Sequence, residues 1–291
     1  MRILVVNEKY NNKKVLNFIL DYFPNLSQNT LYKALRKKDI RVNQKRISEN
    51  IIVHTNDEIT IFISDEFLFG SNIKLETVFE DENILVLNKP SRISITENSL
   101  SEETFTSLVK KQFGNNLEPC HRLDRNTTGL IIYAKNNEAL NILLEKFKNC
   151  EIEKHYKATV FGILTKKHDI LTAYLFKDSK KSLVYISDKP QKNYTKIITE
   201  YTVISENKAK NYSELDVILH TGKTHQIRAH LAHIGHPIIG DGKYGINEIN
   251  KKFGKTTQML CSYKLKFNFK TPSGKLEYLN NKEILLNYKN N

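Results

Sequence analysis

A chain of 291 residues that is 40% hydrophobic can bury one sizeable core with a smaller module beside it. No apolar run approaches the length of a membrane span, and residues 1–6 are too few, and too soon followed by charge, for a secretory signal. Lysine and arginine outnumber the acids by 45 to 32, giving +13 and a pI near 9.4, which favours a polyanionic partner such as nucleic acid, although lysine and asparagine richness also follows from an AT-rich genome.

After a short leader, residues 14–23 place Val15, Leu16, Ile19 and Phe23 on one helical face, and Pro24 stops the helix. Ser27 reads as the N-cap of a second helix with Leu31, Ala34 and Leu35 as its apolar stripe. A short strand at 40–42, a turn at 43–46 and an alternating strand through Ile59, Ile61 and Ile63 follow. Arg36, Lys37, Lys38, Arg41, Lys45 and Arg46 crowd the junction of helix and strand. They are candidates for phosphate contact, with a merely solvated basic face as the alternative. A linker containing Gly70 divides the chain into an N-terminal domain, 1–66, a connection, 67–73, and a larger domain, 74–291.

The larger domain opens with Val78-Phe79, an acidic turn at 80–83 and a buried strand at 84–87 that Asn88-Lys89-Pro90 ends. Further on, Asp124 stands between Arg122 and Arg125 with His121 close by. The small polar run Asn126-Thr127-Thr128-Gly129 then leads into the apolar strand 130–134. A lone acid on a loop pinned to a core strand, kept ionised by arginines, suits attack on or stabilisation of an electron-poor carbon. These residues suit an arginine–aspartate pair on a surface loop equally well. Residues 137–147 form a helix with Ala139, Leu140, Leu143, Leu144 and Phe147 inward. Tyr156, between basic residues on the strand 154–162, is either an ordinary strand aromatic or a stacking face for a base. Alternating strands at 170–176, 183–186, 197–203 and 215–219, with few long crossovers, predict a mostly antiparallel sheet. The segment 220–231 ends in a helix with Ile227, Leu231 and Ile234 on one face, and residues 265–275 read as a strand and turn.

Gly222-Lys223-Thr224 imitates the end of a phosphate-binding loop, but Val217 stands where that motif needs its first glycine, which excludes a nucleotide triphosphatase. His225, His230, His233 and His236 do not follow a zinc-enzyme spacing, so no metal is expected. Cys120, Cys150 and Cys261 are scattered and odd in number, as suits reduced thiols in a cytoplasm.

His121-Arg122-Leu123-Asp124 followed by Asn126-Thr127-Thr128-Gly129 closely resembles the catalytic motif of the RluA family of RNA pseudouridine synthases, with Thr128 where serine is common. The run from His220 to Leu231, continuing through Gly240-Asp241 and Tyr244-Gly245, resembles the family's third motif, with Lys223 where arginine is usual. The segment 36–47 resembles the S4 domain that precedes the catalytic domain in the RluC and RluD branches. The acidic turn with Lys89-Pro90 resembles the first motif, although Ser91-Arg92-Ile93-Ser94 departs from its continuation, and Cys261 stands where histidine is common. In all, the resemblance covers residues from about 14 to 280.

The resemblance implies an α+β protein: a small S4-like RNA-binding domain and a mostly antiparallel, mixed-sheet pseudouridine synthase domain. It implies isomerisation of uridine to pseudouridine in structured RNA, large-subunit (23S) ribosomal RNA first and transfer RNA as the alternative. Asp124 would be catalytic, Arg122 would fill the space a flipped base vacates, Tyr156 would stack on the uracil, Arg228 would pair with Asp124, and Lys223 would contact RNA. No cofactor is expected, and the partner is RNA, for a monomeric cytoplasmic protein. Two rivals are a non-catalytic ribosome-associated RNA-binding protein and a glycosidase. Against the second, no other acid accompanies Asp124 in the matched motifs.

Overall fold

In the computed structural model, which describes residues 2–24, 26–63, 75–96 and 104–286, the chain forms two compact units. The connection expected at 67–73 lies outside the described residues. Among the described residues, no helix is long and apolar enough to cross a membrane.

In the first unit, helices Val15–Tyr22 and Gln28–Arg36 pack their apolar faces on a four-stranded sheet. The strands are β1 (Arg2–Val5), β3 (Ile40–Val42), β4 (Lys45–Arg46) and β6 (Glu58–Ile61), in the order β1-β6-β3-β4. A two-stranded ribbon joins β2 (Lys13–Lys14) to β5 (Ile52–Val53). The expectation of a mere leader is corrected here: β1 pairs antiparallel with β6 from Arg2↔Ile61 to Val5↔Glu58. A four-residue strand has too few alternations to stand out, and its pairing partner lies more than fifty residues away. Ser27 caps its helix as expected, accepting the Thr30 N–H at 3.2 Å.

Two chain reversals place the basic cluster. Lys38 closes the second helix in the left-handed region, φ 59°, where glycine is usual, while Lys38 N–H and Asp39 N–H bond back to the Leu35 and Ala34 carbonyls. The turn expected at 43–46 shortens to Asn43-Gln44, both with positive φ, so that Lys45 and Arg46 belong to a strand. Arg36, Lys37, Lys38, Lys45 and Arg46 are exposed. Arg41 is half-buried, with its guanidinium 4.7 Å from the centre of the Phe62 ring.

The second unit is built on an eleven-stranded sheet among the described residues. Its strands are β7 (Glu76–Glu80), β8 (Ile84–Lys89), β9 (Glu118–Pro119), β10 (Thr128–Ala134), β11 (Ile152–Phe161) and β12 (His168–Asp178). They continue with β13 (Leu183–Ser187), β14 (Thr195–Asn207), β15 (Tyr212–Leu219), β16 (Leu260–Phe267) and β17 (Glu283–Leu285). The order is β13-β12-β14-β15-β11-β16-β10-β8-β7, with β17 on β16 and β9 on β10. All pairs are antiparallel except β10 with β16, so the sheet is mixed and mostly antiparallel as expected. Helix Asn137–Lys148 buries Ala139 and Leu143 against Ile84, Val86, Leu130 and Ile132. Helix Gln226–His233 buries Ile227 and Leu231 in a second cluster with Leu123, Tyr156, Val217 and Leu260. A further helix, Phe105–Phe113, is opened by a reciprocal cap between Thr104 and Ser107.

The parallel joint between β10 and β16 is where the Asp124 loop enters the sheet. Gly129 lies at φ 107°, and a Cβ built on it would stand 2.1 Å from the Ser262 carbonyl oxygen. A larger residue must therefore push the two strands apart. Gly129→Ala should destabilise the second unit by about 3 kcal/mol or more and lower its melting temperature by roughly 6–12 °C, as thermal unfolding followed by circular dichroism would show. An unchanged melting temperature would mean that the strands do not approach this closely.

Candidate active site

Asp124 and Arg228 are 104 residues apart in sequence and meet because the residue before each is anchored in one apolar cluster, Leu123 from the loop and Ile227 from the helix. Arg228 is buried, and its Nη1 donates to Asp124 Oδ2 at 2.8 Å. The rest of the guanidinium is engaged as a fork: Nε donates to Asp241 Oδ2 at 2.7 Å and Nη2 to Asp241 Oδ1 at 2.9 Å. Asp241 is only 1% exposed and also accepts the N–H groups of Lys243 and Tyr244. Burial alone would raise its carboxyl, but the Arg228 bonds outweigh this and hold it below the usual carboxylate range. Burial likewise opposes the charge on Arg228, and the two carboxylates raise its affinity for the proton above the ordinary value.

This corrects the expectation that no second acid accompanies Asp124. Asp241 was within the quoted motif, but an Asp after a glycine reads as turn chemistry until the fold sets it against Arg228. Both of its oxygens are occupied inside the protein, so Asp124 is the carboxylate that faces the cleft.

The cleft has a volume of about 590 Å³, within the roughly 300–1,000 Å³ typical of small-molecule sites. Asp124, Arg122, Tyr156, Arg228 and Lys223 all line it. Arg122 and Lys223 are exposed, whereas Tyr156 is 5% exposed in the apolar cluster under the loop. Burial, and then the charge of Asp124, raise the pKa of the Tyr156 hydroxyl and keep it protonated. Five lysines and arginines line the cleft against a single acid. The other candidates, Arg36, Lys37, Lys38, Arg41, Lys45 and Arg46, belong to the first unit.

Lys89, named in sequence only as part of a strand-ending step, sits beneath the Asp124 loop. It is fully buried, and its Nζ donates to the carbonyls of Pro90 (2.7 Å), Ile93 (3.0 Å) and Arg125 (3.1 Å). Burial pulls its ammonium down to about 7, against the pull of Asp124 in the other direction. The available signal was a lysine completing an otherwise apolar buried strand, where a charge needs several acceptors. Thr127 N–H closes the loop onto the Asp124 carbonyl at 3.0 Å, and Gln258 Nε2 donates to Thr127 Oγ1 at 2.8 Å.

His225 is the remaining neighbour of the acid. Its Nε2 is 4.0 Å from Asp124 Oδ2, and its Nδ1 is 2.9 Å from the Tyr244 hydroxyl, which accepts the Val184 N–H. Burial holds His225 down to about 4, so at neutral pH it is uncharged. The other histidines of that region separate: His230 bonds Thr199, His233 bonds Asp188, and His236 bonds the Phe161 carbonyl. His121 accepts the Ile132 N–H on Nε2, packs on Phe147 with ring centres 4.6 Å apart, and is held down to about 3 by burial.

Residues 83–233 match the family described as RNA pseudouridylate synthase. An uncharacterized RNA pseudouridine synthase of Mycoplasma capricolum is 32% identical, over 99% of this chain and 98% of its own length. A protein of Buchnera aphidicola (subspecies Baizongia pistaciae) named ribosomal large subunit pseudouridine synthase C is 32% identical, over 85% of this chain and 82% of its own. Among solved structures, human RNA pseudouridylate synthase domain containing 1 superposes with a TM-score of 0.60 at 24% identity, over 70% of this chain and 82% of that one, which is a likeness of fold. The family match spans more than half the chain and includes Asp124, Tyr156 and Arg228, so the chain belongs to the RluA-type RNA pseudouridylate synthases, enzymes that isomerise uridine to pseudouridine in RNA.

Proposed function

We propose that Asp124 is the catalytic carboxylate, that Arg228 orients it, and that the substrate is large-subunit ribosomal RNA. The observation that carries the first part is the Arg228 fork on Asp241, which leaves one N–H aimed at Asp124 beside an open basic cleft. A uridine must leave its stack to enter, at a cost of a few kcal/mol. Arg122, exposed at the cleft, would occupy the vacated space, and Tyr156 would stack on the uracil as Asp124 promotes cleavage of the N-glycosidic bond. The uracil then rotates and rejoins the sugar through carbon, with no net redox change. The ribosomal target is supported by the names of relatives such as the Buchnera protein. The first unit, with its exposed cations at two chain reversals, is assigned as the S4-like RNA-binding domain, and Lys223 as a further RNA contact.

Replacing the protein in cells by Asp124→Asn should erase pseudouridine at large-subunit positions, and mapping across total RNA would locate them. Loss confined to transfer RNA would overturn the target, and substantial turnover by the purified variant would overturn Asp124. In vitro, turnover should fall by at least about a thousandfold while RNA affinity stays within about threefold, because affinity comes mainly from phosphate contacts.

Arg228→Ala leaves two carboxylates facing one another without their shared cation. Stability should fall by about 3–5 kcal/mol, and the pair should bind a proton more tightly. The sign follows: residual single-turnover activity should climb as pH rises and the proton is released. Rates matching wild type across pH would show that Arg228 does not support Asp124.

Exchanging Arg36, Lys37 and Lys45 for glutamine should weaken RNA binding and flatten its salt dependence by roughly 0.7–0.9 in log–log slope per lost phosphate contact. The single-turnover rate on saturated enzyme should hold. An unaltered slope would make this cluster a solvated face.

A further inference from the structure

Among the described residues of the second unit, two lysines are buried, and both are fully partnered. Lys89 has three carbonyl acceptors, and Lys146 has Glu151 Oε2 at 2.9 Å together with Thr271. Lys154 differs. It lies on β11, partly buried, with its Nζ 5.4 Å from the centre of the Phe147 ring. Among the described residues no carboxylate or carbonyl is hydrogen-bonded to it, and burial lowers its pKa. The neighbouring ring, His121, is held neutral by burial and then by the Lys154 charge itself.

An ammonium taken from water without an acceptor costs free energy, so such a group is expected where a ligand supplies the anion. The surroundings of Lys154 are open in the right direction. It lines the cleft, and a Cβ added to Gly222 would stand 3.5 Å from its Nζ, so the glycine leaves that approach to bare backbone. Lys223 follows Gly222 and is exposed on the same wall. Lys154 is also two residues from Tyr156 on one strand, a separation of about 7 Å that keeps both side chains on one face. That is within the span from a nucleobase to the phosphate of its own nucleotide.

We propose that Lys154, with Lys223 beyond Gly222, is a phosphate-binding subsite that takes the backbone phosphate of the nucleotide delivered to Asp124. This deepens the reading of the cleft as an RNA site and rests on it. A dehydrated ammonium is compensated better by a phosphate than by a neutral uracil carbonyl, and phosphate recognition by a point charge is what lysine does well. The subsite would fix the register of the extruded nucleotide, while Tyr156 holds its base.

The test uses uridine, uridine 5′-monophosphate, uridine 3′-monophosphate and inorganic phosphate as probes, titrated into the full-length protein and followed by NMR. Wild type should bind one of the two monophosphates about tenfold more tightly than uridine. Lys154→Met should bring that preference below about twofold without changing the affinity for uridine, and Lys154→Arg should retain most of it. In the wild-type protein alone, the Lys154 Hε–Cε resonance should move with that monophosphate and stay still with uridine, which decides the matter even if the methionine variant folds poorly. A preference that persists in Lys154→Met, or none in wild type, overturns the assignment. So does a shift with inorganic phosphate equal to that with the nucleotide, which would mark a bare-anion site. No arm depends on turnover. Failure to form pseudouridine would remove the proposed function and leave the phosphate preference standing, whereas turnover without the preference would remove only the subsite.

Discussion

One guanidinium organises the second unit. Arg228 is buried between Asp241, which takes its fork, and Asp124, which takes the remaining Nη1. Burying any one of these charges alone would cost several kcal/mol, so the three hold each other in place. The geometry is also directional. A planar fork with one edge fixed on a buried acid has one orientation left for its last N–H, and that orientation points at the acid in the cleft. A lysine in the same place would supply a charge without fixing a direction.

The rest of the site follows from how few charges the interior tolerates and how each is answered. Lys89 spends its three N–H groups on the carbonyls of two loops, one of them the Asp124 loop, and so ties that loop to the end of β8. His225 and His121 are kept neutral by burial and so add no positive charge near Asp124. Hydroxyl and amide groups do the finer positioning: Gln258 on Thr127, Tyr244 on His225 and Val184. Against this background Lys154, whose ammonium has no hydrogen-bonded acceptor among the described residues, stands out as a place for a charge brought by substrate.

The two units carry their charge differently. In the first, cations are exposed, clustered at chain reversals and loosely specified, which suits contact with a flexible phosphate backbone. Lys38 in particular holds a backbone conformation in which glycine would be more comfortable, so its side chain is kept at a modest cost in stability. In the second, the charges that set Asp124 in place, Arg228 and Asp241, are buried and paired, which suits chemistry on one base.

Much of this was legible in the sequence because the features are local. The Ser27 cap, the apolar faces of the helices at 15–22, 28–36 and 137–148 (save Leu144, expected inward and 46% exposed), and the alternation of β12, β14 and β15 each depend on residues within a few positions of one another. The loop bearing Asp124 is local in the same sense: an acid among arginines followed by a glycine and an apolar run. The reciprocal cap at Thr104 and Ser107 is local as well, but it pairs a threonine with a serine where the usual capping box has glutamate or glutamine, so it does not stand out. What the chain order hides is pairing across distance. β1 finds β6, β10 lies parallel to β16, and Gly129 is required only because Ser262 passes against it. Asp241 becomes the anchor of Arg228, and Lys89 the clasp of the Asp124 loop, only when the sheet brings residues 13 and 36 positions apart within 3.1 Å or less. Sequence determined which groups could carry charge and where local structure would hold them; tertiary structure decided which charges were buried, and a buried charge must have its partner chosen by the fold.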